Sequence, residues 1–115
     1  MNILDLVADV LREPNLKKGF FPAQPDDLAA VFEYPADPPE HHFGGTDIIH
    51  GIQFRVRSLD AQRAYGEAKR LAEKLNRYND GAVSILQSTA ILDIGRDDSN
   101  PSRQEYTVNF TVRRH

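Results

Sequence analysis

Hydrophobic and polar positions alternate most clearly in the second half of the chain. Across residues 48–57, Ile52, Phe54 and Val56 alternate with Gln53, Arg55 and Arg57. That period of two predicts a strand with one buried and one polar face. From Ala61 to about Tyr78 the period changes. Ala61, Ala64, Tyr65, Ala68, Leu71, Ala72, Leu75 and Tyr78 recur every three or four residues, which predicts an amphipathic helix whose small alanines let it lie close on a sheet. Ser58 or Asp60 is placed to cap its start, and Asn79-Asp80-Gly81 to end it. Residues 82–94 predict one or two strands, bent near Ser88-Thr89. The run Gly95-Arg96-Asp97-Asp98-Ser99-Asn100-Pro101 has the composition of a turn. A last strand, about 103–113, sets Tyr106, Val108, Phe110 and Val112 against Glu105, Thr107, Asn109 and Thr111.

The first half is less regular. Residues 2–13 predict a short helix capped by Asn2, with Ile3, Leu6, Val7 and Val10 on one stripe and Leu4 and Leu11 widening it. Pro14 disfavours helical geometry at Glu13 and ends it. Gly19-Phe20-Phe21-Pro22 is at best a short extended piece. Residues 28–34, LAAVFEY, favour a strand that Pro35 stops. Residues 35–46, PADPPEHHFGGT, predict a loop, because three prolines and two glycines fit no regular element. A loop of that length in a compact domain is usually functional or disordered. These elements predict one α+β domain over residues 1–115, with a mainly antiparallel sheet of about four strands and two helices packed on one face. The other face, lined by Gln, Arg, Thr and Asn, would meet water or a partner.

Composition narrows the chemistry. The 115 residues hold no cysteine, which excludes disulfides, thiolate catalysis and zinc–thiolate sites. A net charge of −3 argues against a general nucleic-acid binder. The charge is uneven: residues 1–50 carry nine acidic and three basic side chains, a balance of −6, and residues 51–115 carry eleven basic and eight acidic, a balance of +3. Such asymmetry would let unlike faces of neighbouring subunits meet head to tail, unless the charges are simply scattered over a solvated surface. Asp5 and Asp9 interrupt the first apolar stretch, so no signal peptide is expected. No apolar run approaches the roughly 20 residues of a membrane span. Synthesis in the cytoplasm is the expectation.

Candidate catalytic groupings are weak. His41, His42 and His50 are the one plausible metal cluster. Adjacent histidines in extended chain point to opposite sides, however, and no carboxylate stands at a recognised ligand spacing. Asp97 and Asp98 beside Arg96 suit a turn better than an acid–base pair, which needs a pocket that separates the two pKa values. Gly44-Gly45 lacks the lysine and following helix of a phosphate loop, and no nucleophile elbow occurs. Arg55, Arg57, Arg113 and Arg114 could form a basic stripe, but the alternation buries Phe54 and Phe110 rather than offering them to bases. No cofactor or metal site is expected.

Three segments in order carry a family resemblance. They are Ile52-Gln53-Phe54-Arg55-Val56-Arg57-Ser58 with the helix to Leu75, then Ile94-Gly95-Arg96-Asp97-Asp98, then Tyr106-Thr107-Val108-Asn109-Phe110-Thr111-Val112. Pro25-Asp26-Asp27 and Val31-Phe32-Glu33-Tyr34 fit as well. The pattern is similar to the tail terminator, or tail completion, minor capsid proteins of long-tailed bacteriophages. The His41-His42 loop and Pro101-Ser102-Arg103 depart from it.

The resemblance implies a non-catalytic virion protein, assembled in the host cytoplasm and located at the head–tail interface. It implies a homo-oligomeric ring, expected to be hexameric, that caps the tail tube protein and meets the head completion or connector protein. DNA would pass through its lumen without specific binding; a separate expectation, from the charge distribution, is that acidic residues of the N-terminal half face the channel and repel it. The expected contact surfaces are the polar strand face (Gln53, Arg55, Arg57), the loop holding His41, His42 and Phe43, and the turn holding Arg96, Asp97 and Asp98. The competing reading is a small cytoplasmic ligand-binding domain or enzyme of α+β fold. It needs a concave apolar pocket with convergent polar groups, and the sequence nominates none.

Overall fold

In the computed structural model, which describes residues 2–13, 16–23, 25–96 and 102–115, one long strand organises the chain. The elements run α1 (Ile3–Leu11), β1 (Lys17–Lys18), β2 (Leu28–Tyr34), β3 (Glu40–His42), β4 (Gly45–Ser58), α2 (Ala61–Leu75), β5 (Val83–Gln87), β6 (Leu92–Arg96) and β7 (Gln104–Arg114). β4 lies at the centre, antiparallel to β2 on one side and to β7 on the other. The order β1-β2-β4-β7-β5 is completed by β3 against the start of β4 and β6 against the start of β7. β1 runs parallel to β2.

The sheet is therefore seven-stranded and mixed, which corrects the expectation of about four mainly antiparallel strands. The differences have local causes. β1 has two residues and no readable period. β3 is Glu-His-His, with no apolar alternation; its pairing with residues 45–47 rests on a turn at Phe43-Gly44 and on Gly45 at φ 138°, a region open to glycine. The chain between β5 and β6 leaves the edge at Ser88-Thr89, where both amides donate to the Asn109 carbonyl. The anticipated bend thus makes two strands, each paired with β7.

Both helices contribute to a single core on one face of the sheet. Ile52, Phe54 and Val56 of β4 and Val108, Phe110 and Val112 of β7 meet Val7 and Leu11 of α1 and Ala64, Ala68, Leu71 and Leu75 of α2. Phe54 and Phe110 meet edge to face at 5.6 Å. Asn2 caps α1, accepting from the Leu4 and Asp5 amides at 2.8 and 3.2 Å. Asp60 caps α2, accepting from the Gln62 amide at 2.9 Å, while Ser58 accepts from the Asp60 amide and donates to Asp27. α2 stops at Leu75, short of the expected Tyr78, because the sheet takes the next residues. The Arg77 amide donates to the Ile85 carbonyl and the Ile85 amide to the Tyr78 carbonyl, with Arg77 left-handed at φ 68°. Ala61 and Tyr65 are exposed, although the periodic stripe includes them.

The opposite face is not uniformly open. At the β4 C-terminal end, residues 19–23 and 25–27 fold over it. The Phe21 ring meets Phe32 edge-on at 6.5 Å, and the guanidinium groups of Arg55 and Arg57 lie over the Phe21 ring at 5.0 and 4.5 Å. Arg57 donates to the carbonyls of Pro22, Pro25 and Asp26 at 2.5, 2.7 and 3.4 Å. Buried Arg103 donates to the Asp26 carboxylate at 2.7 Å. A positive charge deprived of water needs such acceptors, and the loop supplies them from its backbone.

Candidate subunit interface

The expected contact residues fall into three regions that the fold keeps apart. Gln53 and Arg55 sit mid-sheet on the face away from the helices. Gln53 donates to Asn109 at 3.1 Å, and Arg55 pairs with Glu105 at 3.0 Å. Both remain partly open to solvent. Arg57, on the same face, is 3% exposed, so its charge is spent inside the protomer. Arg96 closes β6 opposite Gln104, at the far end of the sheet from the β3–β4 hairpin. Asp97 and Asp98 lie outside the described residues.

The hairpin gathers His41, His42 and Phe43. His41 Nδ1 meets Thr46 Oγ1 across the strands at 3.0 Å. The Gly44 amide donates to His42 Nδ1 at 3.1 Å, which leaves Nε2 to donate to Asp47 at 3.1 Å. Arg113 bonds Asp47 at 3.2 Å and pairs with Glu40, and His115 Nδ1 lies 3.3 Å from Asp47. The hydrogen bond from His42, then those from Arg113 and His115, hold the Asp47 carboxyl below the usual aspartate range. These bonds brace the base of the hairpin. Its tip has no such support: Phe43 is 113% exposed, more than in an extended reference chain.

Each histidine makes a polar contact within this scaffold, although the buried Nε2 of His50 has no hydrogen-bond partner. His50 Nδ1 pairs with Glu33 at 2.6 Å on the sheet. Among the described residues no group of three or more His, Asp or Glu could hold a metal ion. None of the described helices is long and apolar enough to cross a membrane. A cleft of about 520 Å³ opens between α2 and the start of β2, floored by Leu16, Leu28, Val56 and Leu71. Of the charges that line it, Arg63 pairs with Asp27 at 3.3 Å, and Glu13 and Glu67 both pair with Arg70 outside the cleft.

Sequence reasoning missed Leu86, Leu92 and Ile94, which are 59, 46 and 46% exposed. All three lie on the strands that form the outer edge beside β7. Their spacing reads as ordinary strand, and only the fold reveals that their side chains stay open to solvent.

Thirteen chains of solved structures match this one. A chain from a structure titled "Virion of native gene transfer agent (GTA) particle" superposes with a TM-score of 0.62 over 95% of this chain and 84% of that one. Sequence identity is 14%, so the likeness is one of fold. No curated protein matches the sequence. Residues 8–114 match the family described as bacteriophage tail terminator protein, and the chain belongs to that family. It is a structural protein of the phage tail.

Proposed function

We propose that copies of this chain form a closed ring, expected to be hexameric, at the head-proximal end of the tail. The ring caps the tail tube and joins it to the head connector, and DNA passes through its lumen without specific binding. Family membership across residues 8–114 carries this reading. The geometry is compatible with it: the long strand β4 spans the sheet, and exposed groups lie at a hairpin tip and along a sheet edge, where neighbouring copies could reach them. Gln53 and Arg55 offer a further polar contact surface on the sheet face.

The test is made in the phage. A nonsense mutation in the gene should yield heads and tail tubes that do not join, with tubes of irregular length in electron micrographs. Supplying the purified protein to extracts should restore joined particles. Normal, head-attached tails in the absence of the protein would overturn the proposal.

A further inference from the structure

A side chain fastens the turn of the β3–β4 hairpin. β3 ends at His42, Gly45 opens β4 opposite it, and Phe43 and Gly44 lie between them. The Gly44 amide donates to His42 Nδ1 at 3.1 Å. A Cβ on Gly44 would lie 3.3 Å from that nitrogen, so the ring lies close over the turn. An imidazole nitrogen accepts a hydrogen bond only when it carries no proton, so this bond fixes His42 as the neutral ring with its proton on Nε2. Nε2 then donates to Asp47 at 3.1 Å. One ring thus ties the turn to the base of the hairpin. His41 meets Thr46 instead, because adjacent residues of a strand face opposite ways. Phe43 is fully exposed and gives the turn no apolar anchor.

We infer that His42 is a pH-sensitive clamp on the hairpin turn: neutral, it holds the Gly44 amide, and protonated, it releases it. Histidine is the side chain whose ordinary charge change falls between about pH 5 and pH 8. A proton added to Nδ1 sets one donor against another, so the bond to Gly44 is lost. The same proton makes the ring a cation and strengthens its bond to the Asp47 carboxylate. Acid therefore frees the tip while it tightens the base. The charged groups that face the ring are Asp47 of β4 and Glu40 of β3, both acidic, with Arg113 of β7 and His115 sharing the Asp47 carboxylate at 3.2 and 3.3 Å. Arg113 also pairs with Glu40. The clamp decides whether the tip that carries Phe43 is held in one conformation or released. It is a property of the protomer and does not depend on the ring reading.

The test follows both partners of the bond by heteronuclear NMR of the full chain between about pH 8 and pH 5. At the upper end the His42 ring nitrogens should report a proton on Nε2 and none on Nδ1. As His42 takes up its second proton, the Gly44 amide proton should shift upfield with the same midpoint, as expected for a lost hydrogen bond. His42→Asn keeps an acceptor two residues before Gly44 and removes the titration. Its Gly44 amide should stay hydrogen-bonded and constant across the range. His42→Ala should show the released position at every pH, and His41→Ala should leave the wild-type curve in place. A proton on Nδ1 of the neutral ring overturns the clamp, and so does a Gly44 amide that stays still while His42 titrates. Both are read in the unaltered protein, so neither depends on a variant that folds. A Gly44 titration that survives in His42→Asn overturns it in favour of another group at Asp47.

Discussion

At the scale of single residues, Arg57 shows how a polar position in a strand pattern can be a structural one. Its alternation with Val56 and Ser58 marks it as facing away from the core, and it does. Yet the loop after β1 closes over it, and three backbone carbonyls accept from its guanidinium. Arg57→Ala would strand those carbonyls and unstack Phe21, and should lower unfolding stability by about 2–4 kcal/mol. Urea denaturation followed by circular dichroism measures this, and a shift below 1 kcal/mol would contradict the packing described. A charge reversal at Arg57 therefore disturbs folding before it reports on assembly. Gly51 makes a related point. A Cβ there would lie 2.4 Å from the Tyr34 ring, so the glycine lets that ring lie flat on β4.

At the scale of elements, caps and competition between hydrogen-bond partners set the boundaries. Asp60 satisfies the first free amides of α2, and Ser58 ties the cap to Asp27 at the start of β2. Asp60→Ala should cost about 1 kcal/mol, typical for loss of a capping carboxylate, and should fray the first turn of α2. Amide exchange at Gln62 and Arg63 would report that fraying directly; unchanged exchange there would remove the cap's role. The other end of α2 is decided by the sheet. Arg77 and Tyr78 pair with Ile85, so the helix yields three residues that its own periodicity would have kept. After Leu75 the ladder offers bonds that a fraying helix end lacks.

At the scale of the whole molecule, the chain is elongated, with extents of 52 × 24 × 21 Å. The 14 residues of β4 account for most of the length at about 3.3 Å each. Two carboxylates fasten the ends of this shape. Glu13 joins α1 to α2, accepting from Arg70 at 2.5 Å and Lys74 at 3.0 Å, and Asp47 braces the hairpin. Hydrogen bonds from Arg70 and then Lys74 hold the Glu13 carboxyl below its ordinary value of 4.5. A carboxyl lowered by folding contributes stability that is complete above its unfolded value and is lost as pH falls through its folded one. The protein should therefore lose stability below about pH 4.5. Glu13→Gln should flatten that acid limb in urea midpoints measured from pH 7 to pH 3, and an unaltered limb would show that Glu13 carries none of it.

By itself the sequence determined both helices, the Asn2 cap, Asp60 as one of two candidate caps for α2, and the strand core around Phe54 and Phe110. Each of these follows from contacts within a few residues or from a regular apolar period. The resemblance to tail terminators was legible for the same reason: it rests on the order of those periodic segments. The tertiary structure decided the rest. β3 has no apolar period, and pairing alone makes it a strand. Arg57 faces outward by parity, and a loop more than thirty residues away buries it. Leu86, Leu92 and Ile94 look like interior strand residues, and the fold leaves their side chains exposed. The uneven charge was visible from the start. That Glu40 and Asp47 of its acidic half pair with Arg113 of its basic half is a property of topology, because a linear sequence does not state which strands become neighbours.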